Sequence, residues 1–224
     1  MKVNRYLIKG KVKVLPFYLF TLLLLFASCK EEDDVVEEFP NWPETNDAFF
    51  SSLVADVQAK KAAGETNWDL IVSYSKPTEG YSPQASDYIV VEKMESATGD
   101  NLQSPMLSDS VEVHYVGRLI PSADKYRNLG MEFDRSHSGE WNPQTHCYNF
   151  YPEKSTPAKF AVNRVVNGFS TAVMHMHRGD HWIVYIPYQL GYGTVVRGSI
   201  PAGSTLIFDL RMEDFWTKTK GDRN

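Results

Sequence analysis

Cysteine is scarce in this chain: its 224 residues hold two, Cys29 and Cys147. Two cysteines exclude a disulfide-rich scaffold. Long hydrophobic runs are scarce as well. Leu15 to Phe26 is an apolar run of only twelve residues, with Pro16 and Thr21 as exceptions. At ~1.5 Å rise it reaches ~18 Å, short of a ~30 Å hydrocarbon core. Basic charge is thin beyond the N-terminus. Five of the 23 Lys+Arg fall within residues 1–28, which hold no acid, leaving 18 basic and 28 acidic residues over 29–224, a net of −10. That balance argues against a nucleic-acid binder held by a basic surface. No internal repeat is visible. What remains, 42% hydrophobic and 13% aromatic residues, is enough for a core, and the length fits one domain or slightly more.

The first segment reads as an address. Lys2 to Lys13 form a positive n-region before the apolar run, so residues 1–28 read as a secretory signal peptide, with a short membrane anchor helix as the alternative. Phe26-Ala27-Ser28-Cys29 resembles the lipobox of bacterial lipoproteins, with Phe26 where Leu is usual. That resemblance implies cleavage before Cys29, acylation of its thiol, and a membrane attachment through lipid. The block Lys30-Glu31-Glu32-Asp33-Asp34 opens an acidic tether over 29–43. It resembles the export signal of Bacteroidetes surface lipoproteins; a simple acidic spacer is the other reading. The implied location is the cell envelope, lipid-anchored to the outer membrane on its periplasmic or its surface side. With Cys29 acylated, Cys147 has no intrachain partner and is a buried small hydrophobe, a free thiol or an intermolecular link.

In the mature chain, Pro40 and Pro43 exclude a helix over 39–43, and Thr45 or Asn46 caps one that runs to about Ala63, stopped by Gly64. Its apolar positions Phe50, Leu53, Val54 and Val57 share one face, and Lys60 and Lys61 sit in its last turn. That face packs on the downstream domain or on a second copy; the latter gives a homodimer through helix 45–63. A helical extension over 44–84 includes a short strand around Trp68-Val72. Period-2 runs follow at Tyr88–Val91, Val111–Val116, Trp182–Ile186 and Leu206–Glu213, suiting an antiparallel sheet with one face on a core. A short helix over about Asn167–His177 lies among them. The fold class is therefore α+β: a curved antiparallel sheet wrapped around one short helix, preceded by an amphipathic N-terminal helix.

Eight segments in order carry a family resemblance: Val113-His114-Tyr115-Val116-Gly117-Arg118-Leu119, Phe133-Asp134-Arg135-Ser136, Pro157-Ala158-Lys159-Phe160, Val165-Val166-Asn167-Gly168-Phe169, Met176-His177-Arg178-Gly179-Asp180 with Ile186-Pro187, Leu190-Gly191-Tyr192-Gly193, and Ile200-Pro201-Ala202-Gly203-Ser204 running on through Thr205 to Phe208. Together they resemble the FKBP family of peptidyl-prolyl cis-trans isomerases over about residues 85–217, leaving 218–224 as a tail. The resemblance implies a proline pocket between helix and sheet. It assigns Tyr115, Phe133, Asp134, Tyr192 and Phe208 to catalysis and Val165, Val166, Phe169 and Ile200 to substrate binding. By the same resemblance the Val166 N–H meets a ligand carbonyl, and the Tyr192 hydroxyl donates to the ligand. Phe169 stands where the family's floor is usually Trp, and Ala158 where some members have Phe; both departures imply a looser pocket.

The implied substrate is a proline-containing polypeptide, and the implied chemistry needs no cofactor, metal or nucleophile. A non-catalytic module that recognises proline-containing segments is the rival reading, and a structural lipoprotein dimerising through its helix is a third. Two enlargements depart from a minimal member, Pro121–Gly130 and His137–Ser155. The longer one leaves beside the pocket wall, as a lid, a substrate flap or a surface elaboration. His175 and His177 invite a metal reading, but residues i and i+2 on a helix point in nearly opposite directions. Gly191-Tyr192-Gly193 is too short for a phosphate loop, and no G-x-S-x-G elbow supports a hydrolase.

Overall fold

The computed structural model describes residues 36–77, 79–99 and 102–217. The signal segment, Cys29 and the acidic block from Lys30 to Asp34 lie outside the described residues, as does the tail 218–224. Among the described residues no helix is long and apolar enough to cross a membrane.

Nine strands and two α-helices make up the described chain. Helix α1 (Trp42–Ala62) precedes β1 (Trp68–Val72), β2 (Tyr88–Glu95), β3 (Asp109–Arg118) and β4 (Glu132–Arg135). Then follow β5 (Trp141–Asn142), β6 (Cys147–Tyr148), β7 (Ala158–Ala161), helix α2 (Asn167–Val173), β8 (His181–Ile186) and β9 (Leu206–Thr217). The main sheet is antiparallel in the order β1-β2-β8-β9-β3-β4, and β7 also pairs with β3. One edge of β3 runs along β9 for its full length. The other edge is shared, Ser110–Val113 with β7 and Val116–Arg118 with β4. Strand β1, assigned from sequence to the helical extension, is thus an edge strand of the main sheet, so the boundary drawn at residue 85 cuts through the sheet.

Alternation along the strands sorts the two faces. Ile89, Val91, Val184, Phe208 and Leu210 point toward α2 and form the main core with Val173 and Met176. Gly168 lets α2 lie against β8, because a Cβ there would meet Ile186 Cγ2 at 2.3 Å. The helix ends at Val173, four residues before the expected His177, so His175 and His177 lie beyond it and helical geometry does not set their directions. Their Nδ1 atoms lie 2.8 Å from the Thr171 carbonyl and 3.2 Å from Asp180 respectively.

The second face is covered too, contrary to the half-buried sheet expected from the alternation. At one end α1 lays Phe50, Val54 and Val57 on Val90, with Trp68, Leu70 and Tyr185 around them. The apolar face of α1 is therefore buried on its own domain, the first of the two sequence options. Its start is earlier than expected. Trp42 is the first helical residue and Pro43 sits in the first turn, where a missing N–H breaks no helical bond. The Trp42 indole N–H donates to Ser204 Oγ at 2.7 Å, and Asn46 accepts the Thr205 N–H at 2.7 Å. Asp47 accepts from the Tyr188 hydroxyl and from Gln189. Helix α1 thereby pins the segment 188–205, which carries Tyr192.

At the other end the long insertion folds over the sheet face opposite α2, and this decides its role against a lid on the pocket. Tyr148 is buried and its N–H donates to Asp209 at 2.6 Å. Phe150 packs 4.7 Å from His114 and 5.4 Å from His137, with the Arg211 guanidinium 5.1 Å from its ring. Two-residue strands and turns carry no periodicity, so sequence could not orient this segment.

Burial pushes the pKa of both His114 and His137 below the ordinary histidine value; nearby carboxylates (Glu213 for His114, Asp209 for His137) only partly oppose it. The unfolded chain then takes up protons first. Stability is complete above about pH 6.5 and declines as pH falls from there toward the folded values. We expect Tm to fall between pH 7.5 and pH 5, and the His114→Gln/His137→Gln variant to lose less than half as much. An equal fall in that variant would place the titration elsewhere.

Candidate active site

The site begins with two strands that part. Tyr115 on β3 and Phe208 on β9 point toward α2, while β4 leaves β3 through a register shift between Gly117 and Arg118. Phe133 is the extra residue at that irregularity, and both it and Asp134 line the same hollow. Gly117 has no side chain to obstruct it: a Cβ there would lie 2.7 Å from the Phe133 ring and 2.9 Å from the Phe208 ring. Phe169 rises from the first turn of α2, and Val165 and Val166 form the extended entry to that helix.

The result is a cavity of about 300 Å³ lined by Tyr115, Phe133, Asp134, Val165, Val166, Phe169, Tyr192 and Phe208, together with Phe160, Arg164 and Arg197. Its rings meet edge to face. Phe169 and Phe208 are 5.2 Å apart at 83°, and Phe133 and Phe208 are 5.7 Å apart at 88°. Phe160 and Phe169 are 5.9 Å apart at 77°. Such contacts add ~0.5–1.5 kcal/mol each beyond area burial and hold the walls in place without polar groups.

The polar groups are few and placed. The Tyr115 hydroxyl donates to Asp134 Oδ2 at 2.7 Å, and the Arg135 N–H donates to Asp134 Oδ1 at 2.9 Å. Burial first, and then the bond to Asp134, raise the Tyr115 phenol well above its ordinary pKa, so the hydroxyl remains a donor across the working pH range. The Val166 N–H and the Tyr192 hydroxyl donate to no acceptor among the described residues. Tyr192 is held between Gly191 and Gly193, and Gly193 adopts φ +64 and takes a backbone bond from its N–H to the Tyr188 carbonyl at 2.7 Å.

Eight of the nine pocket residues expected from sequence line the cavity. Ile200 does not; it is 5% exposed and belongs to the core behind the wall. Ala158 also lies off the cavity. Two residues further along β7, on the same face, Phe160 supplies the ring, so the loosening expected at Ala158 is offset there. Phe160, Arg164 and Arg197 were not anticipated. The strand period from Ala158 could have found Phe160; nothing local marks the arginines.

A profile of the FKBP-type peptidyl-prolyl cis-trans isomerase family matches residues 102–213. The chain belongs to this family. All the lining residues fall within the matched FKBP-type region, whereas α1, β1 and β2 precede it. Among similar proteins, the macrophage infectivity potentiator of Trypanosoma cruzi is 34% identical over 117 residues, 52% of this chain and 48% of its own. The FKBP-type 22 kDa peptidyl-prolyl cis-trans isomerase of Escherichia coli K12 is 34% identical over 109 residues, 48% of this chain and 42% of its own. A probable FKBP-type isomerase of Haemophilus influenzae is 29% identical over 184 residues, 79% of this chain and 64% of its own. The chain thus spans less than two thirds of the length of each.

One metal-capable cluster occurs among the described residues, away from the cavity. Cys147, His181 and Asp209 place one donor atom each within 4.8 Å of one another. Asp209 already accepts from the Tyr148 N–H with one oxygen and faces His181 Nε2 at 2.7 Å with the other, a closed imidazole–carboxylate pair. Cys147 is half-buried and free, with its thiol directed at Thr145 Oγ1 at 3.2 Å, and burial pushes its pKa up.

Proposed function

We propose that the chain is a peptidyl-prolyl cis-trans isomerase that accelerates rotation about X-Pro bonds in polypeptides. The observation that carries this reading is the aromatic cavity between α2 and the sheet, with its one Tyr115–Asp134 pair and two unengaged donors, Val166 N–H and Tyr192 hydroxyl. An X-Pro bond turns over in tens to hundreds of seconds because the amide C–N bond has partial double-bond character. Rotation breaks that conjugation and reduces charge separation across the amide. An apolar wall therefore favours the rotated imide over the planar one, and each ~1.4 kcal/mol of such preference is a factor of ten in rate. The Tyr115–Asp134 bond fixes one wall. Val166 N–H and Tyr192 hydroxyl suit carbonyl oxygens on either side of the ring and hold the backbone while the imide turns. No proton needs to move.

A protease-coupled isomerisation assay on residues 30–224 tests this. Catalysis well above the uncatalysed rate, reduced in Tyr192→Phe and Phe133→Ala, is the expected result. Peptide binding without acceleration would instead make the chain a proline-recognition module, the rival class.

We propose in addition that the mature protein is attached to the cell envelope through a lipid on Cys29. The support is the small-residue pair before Cys29 and the apolar run before it. Radiolabelled fatty acid should enter the wild-type protein and not Cys29→Ala. The dimer through helix 45–63 finds less support, because the apolar face it needs covers β1, β2 and β8.

A further inference from the structure

Two exposed arginines, Arg164 and Arg197, line a cleft whose other walls are aromatic and aliphatic apart from Asp134. Arg164 closes the short 3-10 turn Val162–Arg164 before α2, and Ser170 Oγ ties that turn down by donating to the Val162 carbonyl at 2.6 Å. Arg197 opens a tight turn closed by two backbone bonds with Ile200, each 3.0 Å, with Gly198 at φ +59 inside it. Ile200 is buried, so the base of that turn is anchored in the core.

The chain treats its other arginines differently. Arg118 donates to the Leu129 carbonyl and lies over Trp141, while Arg135 pairs with Glu132, Arg178 with Asp214 and Arg211 with Glu95. Among the described residues, Arg127, Arg164 and Arg197 alone have side chains in no ion pair, hydrogen bond or ring contact. Two of those three line the cleft. Residues 29–224 carry a net charge of −10, so two unpaired arginines at one cleft run against the balance of the chain. The cleft's own carboxylate, Asp134, is engaged by the Tyr115 hydroxyl and the Arg135 N–H. It does not pair with either rim arginine.

We propose that the cleft selects proline-containing segments bearing an acidic residue near the proline, with Arg164 and Arg197 as the specificity-determining residues. A guanidinium presents a planar fork of donors that matches a carboxylate, and from an exposed rim it can take one up from an incoming chain. Exposed ion pairs are individually weak and salt-screened, so the two together shift preference by about fivefold at low ionic strength, and less at high. The inference rests on the isomerase reading only for where the proline sits.

The test uses residues 30–224 and peptides of one sequence carrying Glu, Gln or Lys at each of the two positions on either side of proline. Exchange NMR reads the isomerisation rate and chemical-shift titration reads Kd, so preference is measured whether or not the chain catalyses. At one position or more we expect Glu to exceed Lys by about fivefold in 20 mM salt, with the ratio shrinking toward one in 0.5 M salt. Arg164→Glu/Arg197→Glu should invert the order, while Arg127→Glu should keep it. A ratio near one at every position, or one that persists in the double variant, would overturn the proposal. Failure to accelerate even the Gln peptides would count against the isomerase reading alone.

Discussion

Phe208→Ala is expected to lower stability by about 3–5 kcal/mol and isomerisation by roughly tenfold to a hundredfold. The ring is buried, meets Phe133, Phe169 and Tyr115 at centroid distances of 5.7, 5.2 and 6.0 Å, and closes one wall of the cavity. Removing it leaves a void in a region whose backbone, at Gly117, is already as close as it can come to the neighbouring rings. Water then enters the cleft, and the planar imide regains the solvation that the aromatic wall denied it. Phe208→Leu separates the two effects. It restores most of the volume, so urea denaturation should show most of the stability recovered, whereas exchange NMR should still show a slowed reaction. An alanine variant that is folded and isomerises at the wild-type rate would refute the assignment of this wall.

Asp209→Ala is expected to cost about 3–5 kcal/mol without damaging the cleft, because Asp209 lies on the opposite face of β9 from Phe208. Asp209 is 4% exposed, and its carboxylate serves both His181 Nε2 at 2.7 Å and the Tyr148 N–H at 2.6 Å. Alanine would leave a buried imidazole and a buried amide without their partner. The insertion should then loosen from the sheet, and limited proteolysis should cut within 137–155 while wild type resists. At a temperature where the variant is folded, its isomerisation rate should stay within about threefold of wild type. A loss below 1 kcal/mol would mean that the insertion is held by its aromatic contacts instead.

Strands β2, β3, β8 and β9 were legible because their apolar residues alternate or cluster, whereas the short β4 to β7 carry too few residues to show a period. The pocket was legible because its residues occur in family order along the chain. What sequence misplaced has a common cause: long-range packing. Pro43 looks like a breaker by itself, yet it occupies a first turn fixed by the Trp42–Ser204 and Asn46–Thr205 contacts, 162 and 159 residues apart. Strand β1 is short and isolated, and only its pairing with β2 makes it part of the sheet. Buried His114 and Asp209 alternate with core-facing residues of β3 and β9, so alternation alone puts them on the solvent side. They are covered because the insertion returns across them. Ile200 fits the family order but sits behind the wall, while Arg164 and Arg197 reach the rim from turns whose direction no periodicity encodes.

The central claim is that the cleft lowers the barrier by surrounding the imide with aromatic walls, with no proton in flight. Exchange NMR on a neutral Leu-Pro peptide, with the chain at about one hundredth of the peptide concentration, measures this directly as a function of pH and of D₂O content. The account predicts strong acceleration, a rate that is flat from pH 6 to 8.5 while the protein is folded, and an H₂O/D₂O rate ratio near one. No acceleration, or a rate that follows a single ionisation with a ratio of about two or more, would contradict it.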